Sequence, residues 1–382
     1  MPVVAYINFK LCLSATAILI LCLAGFAHAA DIDLEISTGV GYDSNVFRSA
    51  ADPEQDAYLK LAPEITLVLP FYRAFFGLSS RGNIQQNLNQ TDANLQELIL
   101  SGYGLYKLSD HIQFRLQDKL VISELLKSAE ELTDVPGRRK FTSNRLSSDL
   151  RHELKEGVLS LSLAYSNDFR NYTGTEEDWI SHAGQLQVEY FLGYKTSTQL
   201  TFGLTRKLYE TDIDYLSFPI TASLKRKLSN KLDASFSLGL KNRRYSGSYE
   251  GRNWDEPSVS LAITGRFTPK TASALVFQRE VYDSDFALGN AFISKAGILS
   301  LALKLNRATQ LTLAGLYSRN DYTLFKWTSD VYEGRVAIKY RLFRRGAVAL
   351  RYGYEKWNTN FLDILGYDYD KHVADLSYVI AF

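Results

Sequence analysis

Residues 159–166 read LSLSLAYS, and large apolar side chains alternate strictly with small or polar ones. The leucines and Tyr165 fall on one face of an extended chain, and the serines and Ala164 fall on the other. Because side chains of a β-strand point alternately to its two faces, a period of two predicts a strand with one apolar and one polar surface. The same alternation occurs at 232–243 (LDASFSLGLKNR) and at 336–342 (VAIKYRL).

Such segments recur from Asp31 onward, and we count about eighteen of them, many long enough to cross a bilayer at a tilt. Some connections are tight, such as FYRA at 71–74, LSDH at 108–111 and FRRG at 343–346. Others are longer and polar, such as RSAADPEQD at 48–56. Short turns at one end and longer loops at the other are typical of a bacterial outer-membrane barrel, whose short turns lie in the periplasm.

The predicted fold is therefore all-β: a transmembrane antiparallel up-and-down barrel of about 18 strands in a bacterial outer membrane. A soluble β-propeller is the main alternative, but it predicts turns of even length. Two segments, around Tyr103 and Val276, are partly apolar on both faces, so alternation does not assign their inner and outer sides.

The first thirty residues have a different pattern. Lys10 precedes the apolar run 11–26, and Ala27-His28-Ala29 provides a small-x-small cleavage site. These features predict a secretory signal peptide over 1–29, cleaved after Ala29, rather than an N-terminal membrane helix. The remainder, 30–382, is predicted to form a single barrel domain.

Composition narrows the class of function. The charges nearly cancel, with 43 Lys and Arg against 42 Asp and Glu, whereas nucleic-acid-binding proteins show a basic excess. We therefore expect no nucleic-acid partner. Cys12 and Cys22 are the two cysteines and both lie in the predicted signal peptide, so the mature chain is expected to have no thiol.

The polar faces of the strands predict the lining of a pore, since a barrel of this size encloses an aqueous channel. Lys339, Arg341 and Arg351 give a local basic excess beside the FRRG turn. That excess predicts either a charged constriction or a path for an acidic polymer; the alternative is that mixed charges merely solvate a wide lumen and pair across strands. The candidate pore-lining residues are Arg115, Lys119, Glu189, Lys241, Lys304, Arg335, Lys339, Arg341, Arg351, Glu355 and Asp375.

The tryptophans fall at the ends of strands next to the longer loops. Aromatic belts at both interfaces are typical of membrane barrels. An aromatic ring also suits the apolar face of a sugar, so sugar stacking is the alternative role. The candidate membrane-interface aromatics are Trp179, Trp254, Trp327, Trp357 and Phe382.

Signals for catalysis are weak. The histidines at 111, 152, 182 and 372 lie on separate segments, and none has the spacing of a metal pair. Neither a Gly-x-Ser-x-Gly motif nor a Gly-rich phosphate loop occurs. We predict that the protein is not an enzyme and uses no cofactor or metal, with a membrane-bound hydrolase as the alternative.

The first predicted strand contains Gly41-Tyr42-Asp43-Ser44-Asn45-Val46-Phe47. This block, the long strands with polar lumen faces and the terminal Phe382 together resemble the outer-membrane β-barrel porin family of type 2. The last segment, HVADLSYVIAF at 372–382, also resembles the signal by which the barrel-insertion machinery recognises its clients. In physical terms, Asp43 and Asn45 are expected to form the turn at the outer end of the strand.

The resemblance implies a pore-forming protein in contact with outer-membrane lipid. Family members are often associated with exopolysaccharide export, which implies a polysaccharide substrate and a periplasmic export lipoprotein as partner. Two other functions stay open: a general porin for small hydrophilic solutes, and a structural barrel that docks a periplasmic or surface partner.

Overall fold

The structure, a computed structural model, describes residues 31–382 except 51, 127–137, 174–177, 211–213, 248–249, 251–252, 284–290, 323–326 and 361–367. The predicted signal peptide, 1–29, lies outside the described residues.

The described residues form nineteen strands and one 3-10 turn, Thr91–Ala93. The strands are β1 Asp31–Asp43, β2 Asp56–Pro70, β3 Ala74–Asn87, β4 Leu95–Lys107, β5 Ile112–Leu126, β6 Arg138–Lys155, β7 Leu159–Tyr172, β8 Trp179–Gly193, β9 Thr196–Tyr209, β10 Tyr215–Ser217, β11 Ile220–Ser229, β12 Leu232–Tyr245, β13 Trp254–Thr268, β14 Thr271–Asp283, β15 Ala291–Lys304, β16 Thr309–Tyr322, β17 Trp327–Phe343, β18 Gly346–Thr359 and β19 Tyr369–Ala381.

All of these strands belong to one closed antiparallel sheet. Neighbours in sequence are neighbours in the wall, and β19 pairs with β1 along a seam from Glu35–Ala381 to Asp43–Val373. Segments β10 and β11 both pair with β9 and β12, so they share one position and the wall has eighteen positions among its nineteen strands. The prediction of an up-and-down antiparallel barrel is confirmed.

Pro219 explains why one wall position is split into two segments. Proline has no backbone N–H and cannot donate to the ladder. Beside it, the amide of Phe218 donates to Asn242 Oδ1 at 2.6 Å instead of to a backbone carbonyl. The register does not slip across the break, because Ser217 faces Thr205 and Thr221 faces Thr201.

The two surfaces of the wall differ as the alternation predicts. Leu163, Leu299 and Leu350 point outward with fractional exposures of 59%, 55% and 52%. On the inner face of β7, Ser160 and Ser162 are buried against neighbouring strands of the wall. The largest apolar surface is thus on the outside, as a barrel in lipid requires. No helix among the described residues is long and apolar enough to cross a bilayer.

The register assigns the two segments that the sequence left open. Tyr103 pairs with Gly77, and Val276 pairs with Ala262 and Ile298, all on the inner face. A Cβ at Gly77 would overlap the ring of Tyr103, so the glycine leaves the space in which this ring lies against the wall.

We expect Gly39→Ala to weaken the seam between β1 and β19. A Cβ at this position would lie 2.7 Å from the carbonyl oxygen of Leu376, and a backbone atom cannot rotate away as a side chain can. The free energy of unfolding, from urea titration of the refolded barrel, should fall by about 1–3 kcal/mol. Gly184→Ala is the matched control, since a Cβ on that outward-facing glycine meets nothing within 4 Å. Equal effects of the two substitutions would contradict this account of the seam.

Candidate functional site

The inner face of the barrel is the candidate functional site. Residues that are paired across neighbouring strands point to the same face, so the register identifies the inward residues strand by strand. Arg115 lies opposite Asp149, and Arg351 lies opposite Asp375. Outward leucines and tyrosines occupy the other parity on the same strands. The inner face includes all the candidate pore-lining residues: Arg115, Lys119, Glu189, Lys241, Lys304, Arg335, Lys339, Arg341, Arg351, Glu355 and Asp375.

Some of these charges are neutralised within the wall. Arg351 and Asp375 on adjacent strands are 3.4 Å apart. The guanidinium of Arg151 is 3.3 Å from Glu189, whose other oxygen accepts a hydrogen bond from Ser197. Lys241 forms an ion pair with Glu280, and Arg335 with Glu333. Because the partners lie on the same or nearby strands, these pairs run along the wall and do not bridge the lumen.

Other predicted residues have no such partner. Among the described residues, no ion pair engages Arg115, Lys119, Lys304, Lys339 or Arg341. The sequence predicted both behaviours as alternatives, and the described residues contain both: paired charges that line the wall, and exposed cations that form no ion pair, although Arg115 has Asp149 as its register partner. The pore-lining role of these residues stays a prediction.

One inner surface is apolar. On β14, β15 and β16 the inward positions include Val276, Ile298 and Leu316, which follow one another across the register. Ala296 lies next to them and is buried. The inner face is therefore not polar throughout, which is why alternation alone did not assign the region around Val276.

The block around Gly41–Phe47 fastens the long-loop end of the seam. Lys371 on β19 donates to Asp43 Oδ2 at 2.6 Å and to the carbonyl oxygen of Asn45 at 3.1 Å. The Asn45 side chain accepts from the amide of Ser49 and donates to its carbonyl oxygen, which closes the bend. Asp43 and Asn45 therefore shape the turn, and Asp43 also joins the first strand to the last. We call Asp43, Asn45 and Lys371 the seam clasp.

Arg48 extends this contact across the loop. Its guanidinium lies 3.1 Å from Glu355, which also accepts a hydrogen bond from Tyr369 at 2.5 Å. Burial by itself would lower the pKa of the Arg48 guanidinium, but the neighbouring Tyr369, Glu355 and Asp43 raise it above its usual value. The loop after β1 is thus tied to both β18 and β19 by a cation that stays charged.

The four tryptophans point into the barrel, whereas the sequence analysis predicted that they face the membrane interface. Trp327 and Trp357 share the inner parity of Arg335 and Glu355, and the corresponding register turns Trp179 and Trp254 inward too. The prediction used their position along the strands and ignored their parity. Residues an odd number of positions apart on a strand point to opposite faces. Trp327 is an odd number of residues from the outward Val336, so the sequence itself indicated that Trp327 points inward.

Inside the long-loop end, these rings cover cations. Lys207 Nζ lies 4.0 Å from the centre of the Trp179 ring, and Arg243 lies 4.4 Å from Tyr215 and 5.0 Å from Trp254. The Trp327 ring stacks on Tyr322 at 3.9 Å. Ring faces that are already covered are not free to stack on sugars, so the packing favours a structural role for most of this set.

The outward aromatics near the long loops are tyrosines that the sequence reasoning missed. Tyr317 and Tyr332 pack together at 5.0 Å between ring centres, and Tyr352 bonds His372 on the same outer surface. At the opposite end Phe382 points outward, 56% exposed, with its amide bonded to the carbonyl oxygen of Leu34 at 2.8 Å. Rings at both rims form the pattern of a bilayer interface.

Among the described residues, no group of three or more His, Cys, Asp or Glu side chains is placed to hold a metal ion. The acidic residues of the inner face have basic neighbours instead, as Asp375 has in Arg351.

Comparison with known proteins identifies the family. The family model described as "Putative beta-barrel porin 2" matches residues 32–382. The chain belongs to this family. The predicted resemblance is therefore confirmed. Porins are pores of the bacterial outer membrane, not enzymes; they contact lipid and let small solutes pass. No curated protein sequence matches the chain significantly.

Solved structures agree with this fold at low sequence identity. A BenF-like porin from Pseudomonas fluorescens Pf-5 is 12% identical with a TM-score of 0.53, covering 93% of this chain and 99% of the other. OccK2 (OpdF) from Pseudomonas aeruginosa is 14% identical with a TM-score of 0.51, covering 92% and 98%. A second OccK2 structure, in complex with glucuronate, has 13% identity and a TM-score of 0.50, with the same coverage.

The seam clasp gives a testable prediction. Lys371→Met should leave the Asp43 carboxylate buried without its cation and lower the free energy of unfolding by about 3 kcal/mol. Lys356→Met is the matched control, because Lys356 lies on the adjacent strand and forms no ion pair among the described residues. Denaturant titration of both refolded barrels measures the difference. Similar losses in the two variants would show that the clasp does not stabilise the seam.

Proposed function

We propose that this porin is a water-filled pore for hydrophilic solutes and that its specific role is the export of polysaccharide across the outer membrane. The supporting observation is the inner face: among the described residues some charges are paired along the wall, as Arg351 with Asp375, and others, such as Lys304 and Lys339, are exposed and form no ion pair. Every described strand belongs to the wall, so no described strand crosses the interior. Such a lumen suits a hydrated chain that slides without binding tightly.

Two partners follow from this proposal. A polymer that leaves through the barrel has to be delivered from the periplasm, and a periplasmic export lipoprotein would do this at the short-turn end. The barrel-insertion machinery would recognise the strand that ends at Phe382. The outward, exposed ring of Phe382 and its place beside the seam support that second contact.

A general porin for small solutes is the second candidate. The observation in its favour is that the OccK2 neighbour was solved with glucuronate, a single acidic sugar. A docking barrel without transport is the third, and it predicts a lumen that does not conduct.

Passage of neutral oligosaccharides of increasing length separates the candidates. We expect the refolded protein in planar bilayers to give a large, steady conductance, and proteoliposomes to pass oligosaccharides well beyond a monosaccharide, because a barrel with eighteen wall positions is wide enough for an aqueous channel. A cut-off at monosaccharides would support the small-solute porin and contradict polymer export. No conductance under any condition would leave the docking role.

A matched variant checks that the pore runs through the barrel interior. Arg351→Gln combined with Asp375→Asn removes a charge pair that lies flat against the wall, so the conductance should be unchanged. Ala349→Trp on the same strand inserts a large ring at an inward position, next to Ser377, and should lower the conductance.

A further inference from the structure

Exposed cations gather on one side of the barrel at its short-turn end. They come from alternate strands, β11, β13, β15 and β17, each of which reaches that end with its last inward residues. All are exposed on the inner face. This cationic arc consists of Lys225, Lys227, Arg266, Lys304, Lys339 and Arg341.

Acidic residues are nearly absent from this region. Over 220–239, 260–278, 297–316 and 335–353, all of which the structure describes, Asp233 is the single Asp or Glu. The turns that join these strands add further cations: Lys231, Lys270, Arg307, Arg344 and Arg345. A charge pattern that only solvates a wall would mix both signs, as the pairs on other strands do, so this one-sided patch calls for a different explanation.

Small side chains lie beside some of the cations, whereas β12 places Asp233 opposite Lys227 and β16 places the uncharged Gln310 between Lys304 and Lys339. Ala272 on β14 faces Arg266, and Ala347 on β18 faces Arg341, both on the inner surface. Neighbouring strands are about 4.8 Å apart, so cations on alternate strands, such as Lys304 and Lys339, are spaced at about 10 Å. The arc is therefore a row of exposed cations along the inner wall, spaced so that an extended polyanion can contact several of them.

Acidic residues lie beyond one end of the arc, where β18 and β19 separate β17 from β1. Asp31, Asp33 and Glu35 occupy the exposed inward positions of β1 at the short-turn end. The charge therefore changes sign along the rim between β17 and β1, which favours an anion at the arc over one at β1. A surface of one sign raises the local concentration and the on-rate of the opposite charge.

We propose that the cationic arc is the entry site for an anionic polysaccharide arriving from the periplasm. The inference rests on the proposed pore function and specifies its substrate class and direction. Lys and Arg bind carboxylates by charge-assisted hydrogen bonds, and exposed cations hold each group weakly enough to release it. Phospholipid headgroups are not the ligand of the arc, because its side chains face the lumen.

Single-channel block tests the inference. A short oligogalacturonate and a maltooligosaccharide of the same length are added separately to each side of the refolded porin. All proteins in this test carry Tyr72→Cys, which places a thiol in a short turn at a position that is 96% exposed. A membrane-impermeant thiol reagent added to one side reacts only when the short turns face that side, so the reaction gives the orientation of the barrel in each bilayer. We expect the acidic probe to block more often from the short-turn side, and the neutral probe to show no such preference.

The test variant is Arg266→Gln/Lys304→Gln/Lys339→Gln, which should lower the on-rate of acidic block from the short-turn side by about tenfold. The control Arg206→Gln/Arg226→Gln/Lys356→Gln removes the same charge from the outer face and should not change it. Raising the salt concentration should reduce the difference between wild type and test variant, since exposed charges are screened.

The outcomes separate this inference from the pore itself. Steady conductance with equal acidic block from both sides, or with no effect of the test variant, would overturn the entry site and leave the pore standing. If the barrel does not conduct, binding of the labelled oligogalacturonate to detergent-solubilised protein decides: loss in the test variant alone supports the arc, and absence of binding overturns it.

Discussion

The rest of the structure depends on one constraint: backbone N–H and C=O groups in lipid have to bond within the protein. A sheet meets it only by closing on itself, so the first and last strands have to pair along their length. At Gly39, strand β1 comes close to β19, because glycine has only a hydrogen atom beside the carbonyl oxygen of Leu376. At the other end of the seam, Lys371 joins Asp43 and the following turn. The family block thus acts chiefly through closure.

Closure in turn separates the two surfaces. Once the register is fixed, every second residue of a described strand faces inward. The apolar clusters among the described residues, such as Val281, Ala291 and Ile293, are small and lie in the wall, so a polar inner surface costs little apolar burial. Charges can then be paired along the wall or left exposed according to their neighbours in the register. Arg351 is neutralised by Asp375 on the adjacent strand, whereas Lys339 has Gln310 and Ala349 as its register partners.

The sequence predicted the features that depend on alternating side chains and on the positions of turns. LSLSLAYS gave both the strand and its outward face, and the short turns marked one end of the barrel. Tyr103 and Val276 were ambiguous because their partners across the sheet, Gly77 and Ile298, are distant in sequence and decide which apolar side chain the lumen accommodates. Trp179 was wrongly assigned to the membrane interface because the prediction considered its position along the strand but not the face of the sheet to which it points. The contact of Lys371 with Asp43 joins opposite ends of the chain, and nothing local signals it.

The two ends of the barrel treat their cations differently. Inside the long-loop end, Arg243 and Lys207 lie against aromatic rings, which favour the cation electrostatically but cover its approach. At the short-turn end Arg266 faces Ala272 and Lys304 faces the uncharged Gln310, and both cations stay open to water. A polyanion therefore meets accessible cations at the short-turn end, whereas at the other end the described cations Lys207 and Arg243 are covered by aromatic rings. That asymmetry gives a passive pore a preferred side for capture without any coupling to energy, since it changes the entry rate at one mouth and leaves the equilibrium across the membrane unchanged.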